Sequence, residues 1–253
     1  MARQEAVATR GQNRLLMQLL KIVILIAAVL AASNAWSADC VILLHGLART
    51  SNSMIPLENA LGKQGYKVAN IDYESRKKTI EELSSVAIGN ALEECHAAPG
   101  EKIHFITHSM GGILVRYYLY HNKLTALGRV VMIAPPNKGS EVVDYLGRLS
   151  AFRTVNGPAG EELGTGPDSL PSRLGPVDYS VGIIAGTATV NPILSLYLPN
   201  PDDGKVSVAS TKVAGMTDFV TVPASHTFIM RNKTAIKQAI AFIKTGTFIH
   251  DTP

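Results

Sequence analysis

Apolar runs long enough to span a bilayer are missing from this 253-residue sequence. The longest uninterrupted stretch, Ile22 to Ala32, has eleven residues, and a membrane-spanning helix needs about 17 to 25. No spacing of His, Cys and carboxylates matches a zinc site, and no glycine-rich phosphate loop appears, so neither a metal nor another cofactor is expected. Charge of one sign is scarce as well. Most of the formal net charge of +4 resides in the first 38 residues, where Arg3, Arg10, Arg14 and Lys21 face Glu5 alone; the remainder holds 20 basic and 19 acidic residues, a net of +1. That balance offers nucleic acid no basic face. Cysteine is limited to Cys40 and Cys95, so one disulfide is the most the chain can make. Internal repeats and low-complexity tracts are absent too.

What is present starts with a leader. Arg10 and Arg14 precede an apolar core ending at Ala32, and small residues follow at Ser33-Asn-Ala35 and Ala35-Trp-Ser37. This order is that of an export signal over residues 1–38, which implies a periplasmic or secreted mature chain; an uncleaved membrane anchor is the rival reading. Asp39 stands where lipid attachment at Cys40 would require a small residue. In an oxidising compartment Cys40 and Cys95 can pair. Cys40 opens the first strand and Cys95 ends a helix, which puts both at the same end of a parallel sheet. Two buried thiols remain the equal alternative.

From residue 39 onward the pattern alternates. The continuous apolar run Cys40–His45 reads as a strand covered on both faces, and Lys67–Ile71, Ile103–Ile106, Arg129–Ala134, Val181–Gly186 and Asp218–Val222 read as further strands. Between them lie helical stripes: Leu57 and Leu61; Ile80, Leu83, Ala87 and Ala91 behind a Thr79/Glu82 capping box; and Ile236, Ile240 and Ile243 before Gly246. This specifies an α/β fold with a mostly parallel sheet of about six strands and helices on both faces. After the fourth strand comes an insertion, 137–178. It opens with a helix over 140–150 and turns Gly- and Pro-rich over 156–176, either a variable surface loop or an active-site lid. Lys205 to Ala209 reads as a short extended piece.

Periodicity breaks most sharply at Ser109. Ile103, Phe105 and Ile106 suit a strand; Ile113, Leu114 and Tyr117 recur at helical intervals. A serine on such a joint has its hydroxyl clear of the sheet edge, and the backbone N–H of Met110 faces the same space. Gly111 and Gly112 allow helix and strand to approach closely. Asp203, in competition with Asp202, and His226 also follow strand ends, which share one edge in a parallel sheet. Their plainer readings are a turn carboxylate and an ordinary loop histidine. His45 and His108 read as packing or hydrogen-bonding neighbours, and His104 and His121 as structural.

The stretches Leu44-His-Gly-Leu47, His108-Ser-Met-Gly-Gly112, Asp203-Gly-Lys-Val206 and Ser225-His226 resemble motifs of the α/β-hydrolase fold, and within it of bacterial lipases and esterases. The resemblance covers most of residues 40–245. It implies a serine hydrolase acting on carboxylic, lipid or acyl esters. Ser109 would be the nucleophile, His226 the base, Asp203 its orienting acid, and the Leu47 and Met110 amides the oxyanion hole. The implied partner is an ester or lipid substrate, with transient contact to a membrane surface. An acyltransferase using the same site, or a lipid- or protein-binding scaffold without turnover, are the alternatives. Two departures stand out. Thr107 occupies the position where the family places Gly, and the antiparallel strands that open larger members are missing.

Overall fold

The computed structural model describes residues 38–250, so the leader expected over 1–38, with its export and anchor readings, lies outside the described residues apart from Ala38. Six strands form one parallel sheet: β1 (Cys40–Leu44), β2 (Lys67–Ile71), β3 (Ile103–His108), β4 (Leu127–Ile133), β5 (Val181–Gly186) and β6 (Asp218–Val222), in the order β2-β1-β3-β4-β5-β6. The alternation of side chains explains the unbroken apolar runs. Cys40, Ile42 and Leu44 enter one core, Val41 and Leu43 the other, so both sheet faces are buried.

The first face is covered by α2 (Ile80–Cys95) and α3 (Met110–His121), the second by α1 (Ile55–Gly62) and α9 (Lys233–Thr245). Two of these helices have a side-chain cap that sets where they begin. Thr79 accepts from the Glu82 N–H while Glu82 reaches back to the Thr79 N–H, a reciprocal cap of the kind that contributes about 1 kcal/mol. Asn232 caps α9 through the Thr234 and Ala235 amides, and Gly246, at φ 85°, ends it. Among the described residues no helix is long and apolar enough to cross a membrane.

The segment expected to be a Gly- and Pro-rich excursion is instead largely helical and packed. It holds α4 (Glu141–Leu146), shorter than the helix expected over 140–150, then α5 (Ser150–Glu161) and α6 (Leu170–Arg173). Ala159, Leu163, Leu170 and Leu174 belong to the first core. Their order is imposed from outside. Gly157, at φ 65°, sits so close to the Arg76 carbonyl that a Cβ would lie 1.8 Å from it. The Ala159 N–H donates to Lys78 O, and Glu162 accepts from the Ile80 N–H. Arg116, buried on α3, donates to the carbonyls of Asn137 and Gly175 at 2.9 and 2.6 Å. The piece after Lys205 also differs from the extended reading: Ser207 caps a short helix, α8 (Val208–Thr211), after the four-residue α7 (Pro192–Ser195).

Cys40 and Cys95 are joined as a disulfide, with Cα atoms 5.7 Å apart and 55 residues between them in sequence. The bridge ties the end of α2 to the start of β1, and both sulfurs are buried. Closing a loop of that length restricts the unfolded chain and stabilises the fold by about 2–4 kcal/mol. Replacing both cysteines by alanine should lower the unfolding free energy by that amount, read from the urea midpoint of the oxidised wild type against the double variant.

Candidate active site

The chain leaves β1 toward β2 on one side, then crosses back to place β3 on the other. The strand order therefore reverses between β1 and β3, and loops leaving these two C-terminal ends diverge to open a crevice. Ser109 follows β3 and Leu47 follows β1, so both stand at that reversal. Ser109 adopts φ 52°, ψ −124° at the start of α3, a conformation costly for any residue with a Cβ. It is held by its N–H to Ile133 O at 2.8 Å and its carbonyl to the Gly112 N–H at 2.9 Å. Gly111 is required at its position: a Cβ would lie 2.6 Å from Leu44 O and 2.9 Å from His45 O. Thr107 is accommodated for a related reason. Its hydroxyl faces Gly112, where a Cβ would come within 3.3 Å, and donates to Val131 O at 3.4 Å.

Asp203 and His226 arrive from the loops after β5 and β6. The His226 Nε2 lies 2.9 Å from Ser109 Oγ, and its Nδ1 lies 2.8 Å from Asp203 Oδ2. The second Asp203 oxygen accepts the backbone N–H groups of Lys205 at 3.0 Å and Val206 at 2.8 Å. His226 also donates its own N–H to Asp203 O at 2.9 Å, so the two residues are registered by backbone as well as side chain. Asp202 faces elsewhere. It accepts from the Gly204 N–H at 2.7 Å and from the Ser195 hydroxyl, the turn role that was the alternative for the pair.

The other histidines support this arrangement. His108 donates from Nε2 to His226 O at 3.1 Å and tilts against its ring. His45 stacks on Tyr73 with centroids 3.9 Å apart, and the Tyr73 hydroxyl donates to His45 O. Together with Ser75, whose hydroxyl accepts the Ala48 N–H at 3.0 Å, they fix the loop that presents Leu47. Met110 is fully buried, and its amide, at the first position of α3, has no preceding helical carbonyl to receive it. His104 receives the Arg129 N–H at 2.8 Å, and His121 bonds Tyr117 O at 2.9 Å, both away from Ser109.

Ser109 and His226 open into a cleft of about 190 Å³ whose walls are mainly apolar, with Val142, Leu146, Phe152 and Leu163 from the 137–178 segment. Two cations unremarked in the sequence, Arg49 and Lys205, line it too. Arg49 had no motif or periodicity to mark it, and Lys205 lay within the Asp203-Gly-Lys-Val206 stretch without a role of its own; only the convergence of two loops brings them together. No cluster of His, Cys, Asp and Glu able to hold a metal occurs among the described residues.

No protein-family model matches the chain, and no curated protein sequence matches it. Its fold is similar to that of several solved structures. The mature lipase BlEst2 of Bacillus licheniformis aligns with a TM-score of 0.63 at 18% identity, over 84% of this chain and 94% of that one. Phospholipase PlaB from Legionella pneumophila aligns at 0.63 and 21% identity over 80% of this chain. Lipase B of Aspergillus fumigatus aligns at 0.56 and 13% identity over 85%. The chain spans 56% of PlaB and 54% of lipase B. Likeness at these identities establishes the fold, the parallel α/β-hydrolase sheet.

Burial lowers the pKa of His45, His104 and His108, the last well below the usual histidine value of 6.5. The unfolded chain takes up protons at these residues below pH 6.5 while the folded chain resists, so stability falls as pH drops through that value toward the depressed folded pKa. The slope is about 1.4 kcal/mol per pH unit for each histidine that stays neutral when folded. Urea unfolding between pH 7.5 and 5 should show this loss. His108→Gln, whose amide can still donate to His226 O, should make the slope shallower by one histidine's share.

Proposed function

We propose that the chain is an exported serine hydrolase that cleaves carboxylic esters, lipid or acyl esters among them, through Ser109, His226 and Asp203. The observation that carries this reading is the unbroken relay from Ser109 Oγ to His226 Nε2 at 2.9 Å and from His226 Nδ1 to Asp203 Oδ2 at 2.8 Å, beside an apolar cleft. A serine hydroxyl is a weak nucleophile at neutral pH, so His226 takes its proton as Oγ attacks the ester carbonyl. Asp203, acceptor-only and fixed by two amides, keeps the Nδ1 proton in place and stabilises the imidazolium that forms. The oxyanion is received by the Leu47 and Met110 N–H groups.

Collapse of the tetrahedral intermediate breaks the carbon–oxygen bond to the alcohol, which leaves with the proton from His226 Nε2. Water then repeats the sequence on the acyl-enzyme: His226 removes its proton, the hydroxyl adds to the carbonyl, and Ser109 Oγ departs reprotonated. The wall supplied by residues 137–178 gives an acyl chain an apolar surface on which to lie.

A fluorophosphonate probe should label the wild-type chain and not Ser109→Ala, and that variant should lose hydrolysis of 4-nitrophenyl esters. Unchanged turnover by the pure variant would overturn the assignment. Asp203→Asn should lower kcat by about 10⁴, whereas Asp202→Asn, which perturbs only the turn and the Ser195 contact, should lower it less than about tenfold. Equal losses in the two variants would remove Asp203 from the role of orienting acid.

A further inference from the structure

Several basic side chains away from the cleft are paired or hydrogen-bonded. Lys67 pairs with Glu101, Lys77 with Glu74, and Arg153 with Glu161. Arg116 and Arg129 donate to backbone carbonyls. The Arg49 guanidinium and the Lys205 ammonium have no carboxylate within 4.0 Å and no side-chain hydrogen bond among the described residues. The cleft lining contains no Asp or Glu either.

Their backbones, by contrast, are fixed. The Arg49 N–H closes a turn on Gly46 O at 3.2 Å, beside the Ala48 amide held by Ser75. The Lys205 N–H donates to Asp203 Oδ1 at 3.0 Å, and Lys205 O accepts from the Ser140 hydroxyl at 2.7 Å. Loops from opposite sides of Ser109 thus carry two positive heads, neither in an ion pair, to one cavity.

We infer that Arg49 and Lys205 form an anion subsite beside Ser109, and that the ester taken by this cleft carries a phosphate or carboxylate in addition to its apolar acyl chain. The inference rests on the hydrolase reading of the site and narrows its substrate. The two charges feel each other: the Lys205 ammonium is drawn down by desolvation and then by the charge of Arg49, with Asp203 acting in the opposite direction, and both cations act on His108. The chemistry gives the arrangement a consequence. Each half-reaction creates an imidazolium at His226, which Asp203 stabilises and the two cations in the same cleft oppose. An anionic group on the substrate cancels that opposition. It therefore raises kcat as well as lowering KM, where a remote patch that merely attracted the substrate would alter KM alone.

The test uses the full chain and two esters of one acyl chain, neutral 4-nitrophenyl octanoate and anionic 4-nitro-3-octanoyloxybenzoate. The ratio of their kcat/KM values, variant against wild type, cancels the intrinsic reactivity of the esters. Arg49→Gln and Lys205→Gln together should shift that ratio against the anionic ester at least tenfold, with part of the loss in kcat. Each single variant should shift it in the same direction.

A second arm does not need turnover: octyl phosphate, octanol and inorganic phosphate are titrated calorimetrically into Ser109→Ala and into the same variant with both glutamines. Octyl phosphate should bind at least tenfold more tightly than octanol or inorganic phosphate, and the advantage should vanish with the two cations. An unchanged ratio, or equal affinity for octyl phosphate and octanol, overturns the subsite. Cation-dependent binding of octyl phosphate by a chain that hydrolyses neither ester supports the subsite and sinks the hydrolase reading instead. Tighter binding of inorganic phosphate than octyl phosphate overturns the amphiphilic ester in favour of a free-phosphate site.

Discussion

The reversal at Ser109 is the constraint that the rest of the site depends on. Its backbone sits at φ 52°, ψ −124°, a state that costs about 1–3 kcal/mol and persists only where the surroundings over-determine it. Three elements do so. Strand β4 accepts the Ser109 N–H, α3 returns an amide to its carbonyl, and Gly111 lets the helix sit directly against the carbonyls at the end of β1. The position of the hydroxyl is thus a property of the sheet and not of a free loop. Thr107 in place of glycine does not disturb it, because the methyl-bearing side chain is received by the missing Cβ of Gly112.

Asp203 and His226 are held differently, by each other. Asp203 and His226 lie on long connections, yet one backbone and one side-chain hydrogen bond join them, and the carboxylate is further gripped by two amides of its own turn. Gly186 at the end of β5 makes the approach feasible: a Cβ there would lie 2.5 Å from Ala224 O and 2.8 Å from the Asp203 Cβ. Rigid sheet on one side and a cross-braced loop pair on the other meet at the Ser109–His226 contact. His108, behind both, ties β3 to the His226 carbonyl.

How much of this was legible in the sequence follows from where each signal originates. Strands buried on both faces write themselves as apolar runs, and the capping box of α2 is a local code, so these elements were readable. Ser109 was readable because two periodicities collide there. Asp203 against Asp202 was a choice that local turn chemistry leaves open, since either carboxylate can accept turn amides. The region from 150 to 175 was illegible for a physical reason. Thr154, Asn156, Gly157 and Pro158 favour no helix, and the order of the region comes from Arg76, Lys78, Ile80 and Arg116, residues about 55 to 80 positions before the groups they touch. Arg49 and Lys205 are single charges in turns, without meaning until the topology places their loops side by side.

The two ends of the sheet divide the work. At the N-terminal ends of β1, β2 and β3 lie the disulfide, the Lys67–Glu101 pair, the Asp39 carboxylate on the Lys102 amide, and His104 receiving the Arg129 amide. All of these bind strand to strand or helix to strand, and none reaches the cleft. The C-terminal ends carry instead a strained serine, a half-unsatisfied His108 and two cations lining one cleft, each of which costs stability. An edge organised for chemistry tolerates such groups only if the fold is secured elsewhere, and in this chain the covalent and ionic clamps stand at the opposite edge. Because strands transmit little freedom along their length, the clamped end also fixes the register with which β1 and β3 present Leu47 and Ser109.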